Sequence, residues 1–277
     1  MNLTIENKRG ERFEISNSTD YTITQITGLT PPVANINLST MGLIDGSLFN
    51  SSRLSERNIT ITIVPTNSVE RSRVNLYRYI KTKHYIKLYF KTNTRNVFIE
   101  GYVESMEGDL YENPQKLMIS IICPDPYFKD IENVMVDFST VTSIFEFENE
   151  PTAEGAPVSE YNAFQEINLF NPSDDDTGVI FDLYASGNVV EPTIYNQTTN
   201  EMFRLNVEML DGDHIVIDTW RGKKSVKRDG DNLMDKVDVN TKWLKILSGD
   251  NILSYVCAYG AENLKVVATV QPIYEGV

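Results

Sequence analysis

The fold is decided by the stretch Arg57-Asn58-Ile59-Thr60-Ile61-Thr62-Ile63-Val64, in which apolar and polar side chains alternate. A period of two places the three isoleucines on one face of a β-strand and the threonines on the other, as in a half-buried strand. The segment before it, Gly42–Arg57, is polar, is broken by two glycines and carries two arginines, Arg53 and Arg57. We expect a loop built to meet a partner, followed by a strand fixed in a sheet.

The rest of the N-terminal half predicts strands around one helix. Alternating patterns predict strands at Leu3–Ile5, Phe13–Ile15, Tyr21–Ile26, Ile86–Phe90, Val97–Val103 and Leu117–Cys123. Ser68 is suited to cap a short amphipathic helix, because Glu70 follows in the first turn and Leu76 and Ile80 continue at near-helical spacing. Val33–Leu54 has only a weak pattern and predicts a long connection, which in a compact domain is often a binding element.

The C-terminal half predicts an antiparallel β-sandwich. Strand-like runs occur at Ile144–Phe147, Phe164–Phe170, Val179–Tyr184, Thr193–Tyr195, Met202–Val207, Ile215–Ile217, Trp243–Leu247, Ile252–Tyr259 and Leu264–Val270. Turn-forming pairs such as Gly187-Asn188 and Asp229-Gly230 separate them. Short strands at regular intervals with such turns are typical of a sandwich.

Charge divides the chain into two parts. Residues 1–134 hold 15 basic and 15 acidic side chains, whereas residues 135–277 hold 10 basic and 24 acidic ones and carry the whole net charge of −14. With a length of 277 residues, this asymmetry predicts two domains, 1–133 and 134–277. Neither half has the basic excess that specific nucleic-acid binding requires.

The cysteines and histidines predict no metal site and no cofactor. Cys123 and Cys257 each lie in an apolar run and are expected to be free, buried thiols. His84 and His214 have no second ligand at metal-binding spacing. The N-terminus has no signal-peptide pattern and no apolar run reaches membrane-spanning length, so we expect synthesis in a cytoplasm and no membrane contact.

Four patterns could carry chemistry, and each has a simpler interpretation. Glu146, Glu148 and Glu150 could be paired carboxylates of a glycoside hydrolase, although a solvated acidic face is favoured. Asp174-Asp175-Asp176 lacks the spaced ligands of a calcium loop, and Gly222-Lys223-Lys224-Ser225 is a basic hairpin tip without the glycine of a phosphate loop. Sugar stacking is conceivable for a set of aromatic residues, but such residues more often fill cores or interfaces: Trp220, Trp243, Tyr184, Tyr195 and Tyr255.

Two successions of motifs resemble one protein family. The first is Asp45-Gly46, Phe49, Arg53 and Arg57 before the isoleucine strand, then a short helix and Cys123-Pro124-Asp125-Pro126-Tyr127-Phe128. The second is Asp211–Thr219, Gly222–Val226, Trp243–Asn251 and Tyr274–Val277. Together they cover nearly the whole chain and resemble the distal tail protein (Dit) family of long-tailed bacteriophages, chiefly those of Gram-positive hosts.

The resemblance implies a mainly β fold. Its first part is a tail-tube-like β-sandwich or barrel domain with one helix, and its second is a galectin-like β-sandwich. The C-terminal half is short and leaves no room for the carbohydrate-binding modules that some members insert.

The resemblance also implies a non-enzymatic hub at the virion tail tip. It implies a homohexameric ring that joins the tail tube protein to the tail-associated fibre or lysin protein and to the receptor-binding protein, with DNA passing through its lumen. Related hubs of contractile tails and tail-like bacteriocins stay open, as does a carbohydrate-binding module that contacts host cell-wall glycans.

We expect the subunit interface of this ring to involve Asp45, Phe49, Arg53 and Arg57. Phe49 would be the apolar anchor and the arginines the charged partners. On this hypothesis, Arg53→Glu combined with Arg57→Glu leaves the monomer folded and breaks the ring.

Overall fold

A computed structural model describes residues 1–16, 18–42, 45–138 and 166–277. The chain forms two compact units, Met1–Ile131 together with Ile273–Val277, and Glu132–Pro272. The boundary expected between residues 133 and 134 falls close to this division. The sequence did not predict that the last five residues belong to the first unit.

The first unit consists of antiparallel strands and one helix. Its elements are β1 (Asn2–Asn7), β2 (Arg12–Glu14), β3 (Tyr21–Thr27), β4 (Ala34–Thr40), β5 (Ser47–Leu54), β6 (Arg57–Pro65), α1 (Val69–Tyr79), β7 (Tyr85–Lys91), β8 (Asn96–Glu107), β9 (Leu117–Cys123), β10 (Phe128–Asp130) and β23 (Ile273–Tyr274). Nine strands form one sheet in the order β2-β1-β7-β8-β9-β6-β3, and β10 pairs with both β8 and β23. Strands β4 and β5 form a separate two-stranded sheet.

The isoleucine strand lies inside this unit. It is β6, which pairs with β3 on one side and β9 on the other, and Ile59, Ile61 and Ile63 are fully buried. Burying each of these side chains away from water stabilises the fold by about 2 kcal/mol. The alternating pattern therefore predicted both the strand and its buried face.

Helix α1 packs Leu76 against this core and ends at the buried Ile80. Ser68 stands at the N-cap position as expected, but its side chain makes no capping hydrogen bond because its backbone is left-handed, with φ of 45°. The Ser72 hydroxyl instead donates to the Asn67 carbonyl oxygen at 2.6 Å.

The second unit contains short strands and two 3₁₀-helices. The strands are β11 (Val134–Asp137), β12 (Ile167–Asn171), β13 (Ile180–Ala185), β14 (Val189–Val190), β15 (Thr193–Asn196), β16 (Glu201–Arg204), β17 (Glu208–Met209), β18 (His214–Asp218), β19 (Ser225–Arg228), β20 (Asp231–Asn232), β21 (Gly249–Val256) and β22 (Leu264–Val270). The 3₁₀-helices are Met234–Lys236 and Ala261–Asn263.

Two larger sheets of this unit enclose one apolar core. The orders are β11-β22-β13-β18-β19-β20 and β12-β21-β15-β16, all antiparallel, and buried side chains of both sheets belong to one cluster. The strand expected at Trp243–Leu247 is wrong, because this segment makes only a single bridge between Ile246 and Thr177. The strand expected at Ile144–Phe147 lies outside the described residues.

The predicted mainly β fold is confirmed, with α1 the single α-helix of the described residues. None of the helices in the described part of the chain is long and apolar enough to cross a membrane.

Candidate subunit interface

The segment predicted as a loop forms a β-hairpin instead. Strands β4 and β5 pair from Ala34↔Leu54 to Thr40↔Ser47, and within the described residues they pair with no other strand. Every residue of both strands is exposed apart from the half-buried Leu54. The hairpin thus extends into solvent with both of its outer edges open.

A bulge explains why the sequence pattern was weak. The register shifts between Asn37 and Leu38, so that Asn37 faces Ser51 while Leu38 faces Phe49. The extra residue, Asn50, breaks the alternation of β5. Its side-chain amide donates to the Ser39 hydroxyl at 2.6 Å.

The hairpin has one apolar and one polar face. Directly paired residues share a face, and neighbours along a strand lie on opposite faces. One face, here called the apolar face, carries Ala34, Ile36, Leu38, Phe49 and Leu54, together with the small polar residues Thr40, Ser47 and Ser52. The other face carries Asn35, Asn37, Ser39, Leu48, Asn50 and Arg53.

The structure brings three of the four predicted interface residues onto this hairpin. Asp45 lies exposed in its turn, and Phe49 and Arg53 lie on β5. Phe49, which is 60% exposed, belongs to the apolar face, whereas Arg53 pairs with Asn35 on the polar face. The two side chains therefore cannot meet the same flat surface.

Arg57 occupies a different environment, inside the first unit. It is only 3% exposed, and its guanidinium group donates to four backbone carbonyl oxygens. The acceptors are Pro126 (2.7 Å from Nε), Gly28 (2.6 Å from Nη1), Thr30 (2.7 Å from Nη1) and Glu275 (2.5 Å from Nη2). The guanidinium carbon also lies 4.6 Å from the centre of the Phe128 ring.

This environment gives Arg57 a structural role that the sequence did not predict. Burial lowers the pKa of its guanidinium group, partly offset by the nearby Cys123 and Glu275. Arg57 is therefore buried in the single chain, and its part in a subunit interface stays a prediction. The sequence could not reveal these contacts, because the four acceptors are far apart along the chain.

The C-terminal residues complete the surroundings of Arg57. Strand β23 pairs with β10, and Tyr274 Oη donates to Asp130 Oδ2 at 3.0 Å. Arg95 donates to the Gly276 carbonyl oxygen, and its guanidinium carbon lies 4.2 Å from the centre of the Tyr274 ring. The Val277 amide donates to the Leu29 carbonyl oxygen at 3.1 Å. Together these contacts anchor residues 273–277 in the first unit.

The other residues considered for catalysis, metal binding or phosphate binding form no common site in the described part of the chain. Glu146, Glu148 and Glu150 lie outside the described residues. In the described part of the chain, no three His, Cys, Asp or Glu side chains are grouped to hold a metal ion. Lys223 and Lys224 lie in the turn between β18 and β19.

Of the five aromatic residues considered for sugar stacking, only Tyr184 is largely exposed, at 42%. Its ring stacks on that of His214 with centres 4.3 Å apart. His214 Nε2 in turn lies 2.9 Å from Asp182 Oδ1. This small polar and aromatic cluster lies on the outer face of the six-stranded sheet, where Trp243 and Tyr255 do not reach because they pack against the core.

Comparison with known proteins places the chain among phage tail components. Residues 173–271 match the family model of a siphovirus-type tail component, C-terminal domain. The structure of SPP1 Dit (gp 19.1), described as a paradigm of the hub adsorption apparatus in phages infecting Gram-positive bacteria, is similar with a TM-score of 0.68 and 12% identity. That similarity covers 97% of this chain and 98% of SPP1 Dit.

Two structures of the phage P2 baseplate in its activated conformation are also similar. With calcium, the TM-score is 0.52 at 10% identity, and with strontium it is 0.51 at 11% identity. Each covers 100% of this chain and 99% of the baseplate chain. No curated protein has significant sequence similarity to the chain.

The fold and the matching C-terminal domain define a structural component of a phage tail. The match of residues 173–271 and the similar fold of SPP1 Dit support the resemblance to the distal tail protein (Dit) family that the sequence motifs predicted.

Proposed function

We propose that this protein is a homohexameric hub of the tail tip, which joins the tail tube to the tail-associated fibre or lysin protein and to the receptor-binding protein. The observation that carries the proposal is the exposed β4–β5 hairpin. A closed ring needs a heterologous contact, in which an element of one subunit enters a different surface of the next. The hairpin provides such an element.

The physical state of the hairpin supports this role. A two-stranded sheet alone in water is marginally stable, and open strand edges invite pairing with another chain. Here both strands are solvent-exposed over seven residues each, and most of their apolar side chains lie in water. A neighbouring subunit would bury these side chains and stabilise the hairpin.

The interface in this proposal includes Asp45, Phe49 and Arg53. Phe49 offers the largest exposed ring of the hairpin, and Asp45 and Arg53 offer charges of opposite sign at its turn and along β5. Arg57 contributes indirectly, since it ties the start of β6 to three other parts of the unit.

The charge distribution supports the passage of DNA through the ring. The first 134 residues have equal numbers of basic and acidic side chains, so a lumen formed by them offers no basic excess for phosphate groups. The second unit, a galectin-like sandwich in this proposal, holds neighbouring baseplate proteins. Neither unit has a catalytic role.

Light scattering coupled to size-exclusion chromatography tests the ring directly. We expect a particle of six times the chain mass of 31.5 kDa, and electron micrographs with a central opening. A single 31.5 kDa species at high micromolar concentration would contradict the proposal.

A second candidate function is direct recognition of host cell-wall glycans. The exposed Tyr184 beside His214 and Asp182 favours it, because an aromatic face flanked by polar groups suits a sugar ring. Calorimetric titration with purified wall glycans tests this candidate. Binding that is lost in Tyr184→Ala would support it, and absence of binding by the wild-type protein would rule it out.

A further inference from the structure

We infer that a cluster of basic side chains in the second unit, here called the basic patch, is the surface by which this unit binds an acidic segment of another protein. The basic patch consists of Arg221, Lys223, Lys224, Lys242 and Lys245. This role rests on the proposed hub function, in which the second unit holds neighbouring baseplate proteins, and it assigns that task to a defined surface.

Two segments of chain form the basic patch, the turn between β18 and β19 and the irregular segment before β21. Lys224 Nζ in the turn lies 5.3 Å from the centre of the Trp243 ring in the second segment, so the two segments meet at this pair. Trp243 also packs edge to face on the Phe203 ring, with centres 5.2 Å apart. The patch is thus joined to the core of the unit, while all five of its basic side chains are exposed.

The charge of the basic patch is not neutralised by neighbouring side chains. Residues 135–277 have ten basic side chains, and four of the five outside the patch are in ion pairs, namely Arg204 with Glu191, Arg228 with Asp213, Lys236 with Asp235, and Lys265 with Asp137. Among the residues that the structure describes, none of the five in the patch has an ion pair. The same half of the chain has 24 acidic side chains, so five unpaired basic ones form a positive surface within an acidic unit.

Hydrogen bonds fix the backbone of both segments. Asn196 is fully buried, and its side-chain amide donates to the Lys245 carbonyl oxygen at 2.9 Å. In the turn, the Lys223 amide donates to the Trp220 carbonyl oxygen at 3.0 Å. A backbone held in this way loses little conformational freedom when a partner binds, which favours affinity.

An acidic protein segment fits the basic patch better than a long polyanion does. Acidic residues 174–176 directly precede Thr177, which forms a bridge with Ile246 beside Lys245, so negative charge borders the patch. A nucleic acid, or another polymer with a charge on every repeat, would extend from the patch onto this acidic surface and be repelled. A short segment of a folded partner can place its carboxylates on the patch alone.

Both tryptophans of the chain can report on binding at the basic patch. Trp220 and Trp243 are half-buried and lie in or beside its two segments. The probe is a hexaglutamate peptide, and a hexaglutamine peptide is its neutral control. We expect hexaglutamate to change the tryptophan emission of the full chain at low ionic strength, with an affinity that falls as salt screens the charges. Hexaglutamine should leave the emission unchanged.

Two nearby lysines provide a matched pair of variants. Lys223 belongs to the basic patch, whereas Lys227 follows the buried Val226 and lies on the outer face of the six-stranded sheet. Both lysines are exposed, and substitution by glutamate changes the net charge equally. We expect Lys223→Glu to weaken hexaglutamate binding about threefold to tenfold, and Lys227→Glu to weaken it less than about twofold.

A wild-type protein that does not respond to hexaglutamate, or equal losses in the two variants, would overturn the basic patch as a binding surface. A single-stranded oligothymidylate that bound more tightly than hexaglutamate would overturn the choice of an acidic protein segment. Light scattering on the same samples separates this test from that of the ring, because Lys223→Glu should assemble like the wild-type protein. Selective binding of hexaglutamate by a protein that stays monomeric would uphold the patch while the proposed ring fails.

Discussion

The guanidinium group of Arg57 connects chain segments that are far apart in sequence. Its acceptors belong to the residues just after β3, to the segment before β10, and to residues 273–277. Backbone carbonyls carry no formal charge, so the buried cation is stabilised by dipoles and by the face of the Phe128 ring. Loss of the side chain would leave all of these oxygens without their donor.

Arg57→Ala should therefore destabilise the first unit by about 3 kcal/mol or more, because buried acceptors would lose their partners. Chemical denaturation monitored by far-ultraviolet circular dichroism measures the free energy of unfolding. Arg53→Ala is the control, since Arg53 is exposed, and it should change stability by less than about 0.5 kcal/mol. Equal effects of the two substitutions would refute the structural role of Arg57.

The same geometry corrects the expectation for the combined Arg53→Glu and Arg57→Glu substitution. A glutamate at position 57 would place a carboxylate among carbonyl oxygens, with no donor to replace the guanidinium group. The double variant should unfold the first unit, so it cannot report on ring formation. Arg53→Glu alone is the variant that tests the interface.

The two free thiols make stability depend on alkaline pH. Burial raises the pKa of Cys123, and likewise that of Cys257, from the ordinary value of 9.0 to about 12. The folded state thus keeps protons that the unfolded state releases above pH 9, and stability falls as the pH rises from about 9 towards 12. Below pH 9 the two thiols should contribute no pH dependence.

This prediction is checked by urea unfolding between pH 8 and pH 11, together with thiol titration at pH 8. The native protein should react slowly with a disulfide reagent at pH 8. The unfolded protein should react rapidly at two thiols per chain. Rapid native labelling of both thiols would contradict the buried, protonated state.

At the scale of elements, the β4–β5 hairpin is separate from the core of the first unit. None of its residues is fully buried, and it contributes no member to the apolar core cluster. Replacing residues 34–54 by a short Gly-Ser linker should leave the thermal midpoint of the first unit within a few degrees of the wild-type value, because little buried surface is lost. Self-association should disappear.

Differential scanning calorimetry and light scattering on the same sample check this prediction. An intact ring without the hairpin would show that the element is dispensable for assembly. A monomer that no longer folds would show instead that the hairpin supports the core.

The sequence predicted most strands of the first unit, since their buried faces leave a period-two pattern, as at β6, β7 and β9. The hairpin was not predicted because the bulge breaks the alternation of β5 and shifts its register against β4. Its apolar face could have been found from Ile36 and Leu38, which alternate with Asn35, Asn37 and Ser39. The burial of Arg57, the fourth residue predicted at the interface, could not have been found from the sequence. It depends on carbonyl groups from three other places in the chain.

At the scale of the whole molecule, the first unit is built from two separated pieces of chain. Residues 273–277 supply strand β23, the ring of Tyr274 against Arg95, and one acceptor for Arg57. The charge asymmetry predicted two domains, but it could not indicate that residues 273–277 belong to the first unit. Five residues with one charged side chain hardly alter the net charge of either half.

Tyr274→Ala tests the importance of residues 273–277 to the first unit. Tyr274 is only 8% exposed, and its loss should destabilise the first unit by about 3 kcal/mol through lost burial and the lost bond to Asp130. Calorimetry should show one transition moved to lower temperature and the transition of the second unit unchanged. Tyr259→Ala, at a 63% exposed position in the second unit, is the control and should move neither transition appreciably.

The anchored C-terminal strand also affects when the first unit can mature during synthesis. A ribosome exposes residues 1–131 early, yet β23 and the last acceptor of Arg57 emerge only after all of residues 132–272 have been translated. A nascent chain therefore lacks part of the first unit while its hairpin is already in solvent. Translation order thus delays completion of the unit that carries the hairpin until residues 273–277 have been made.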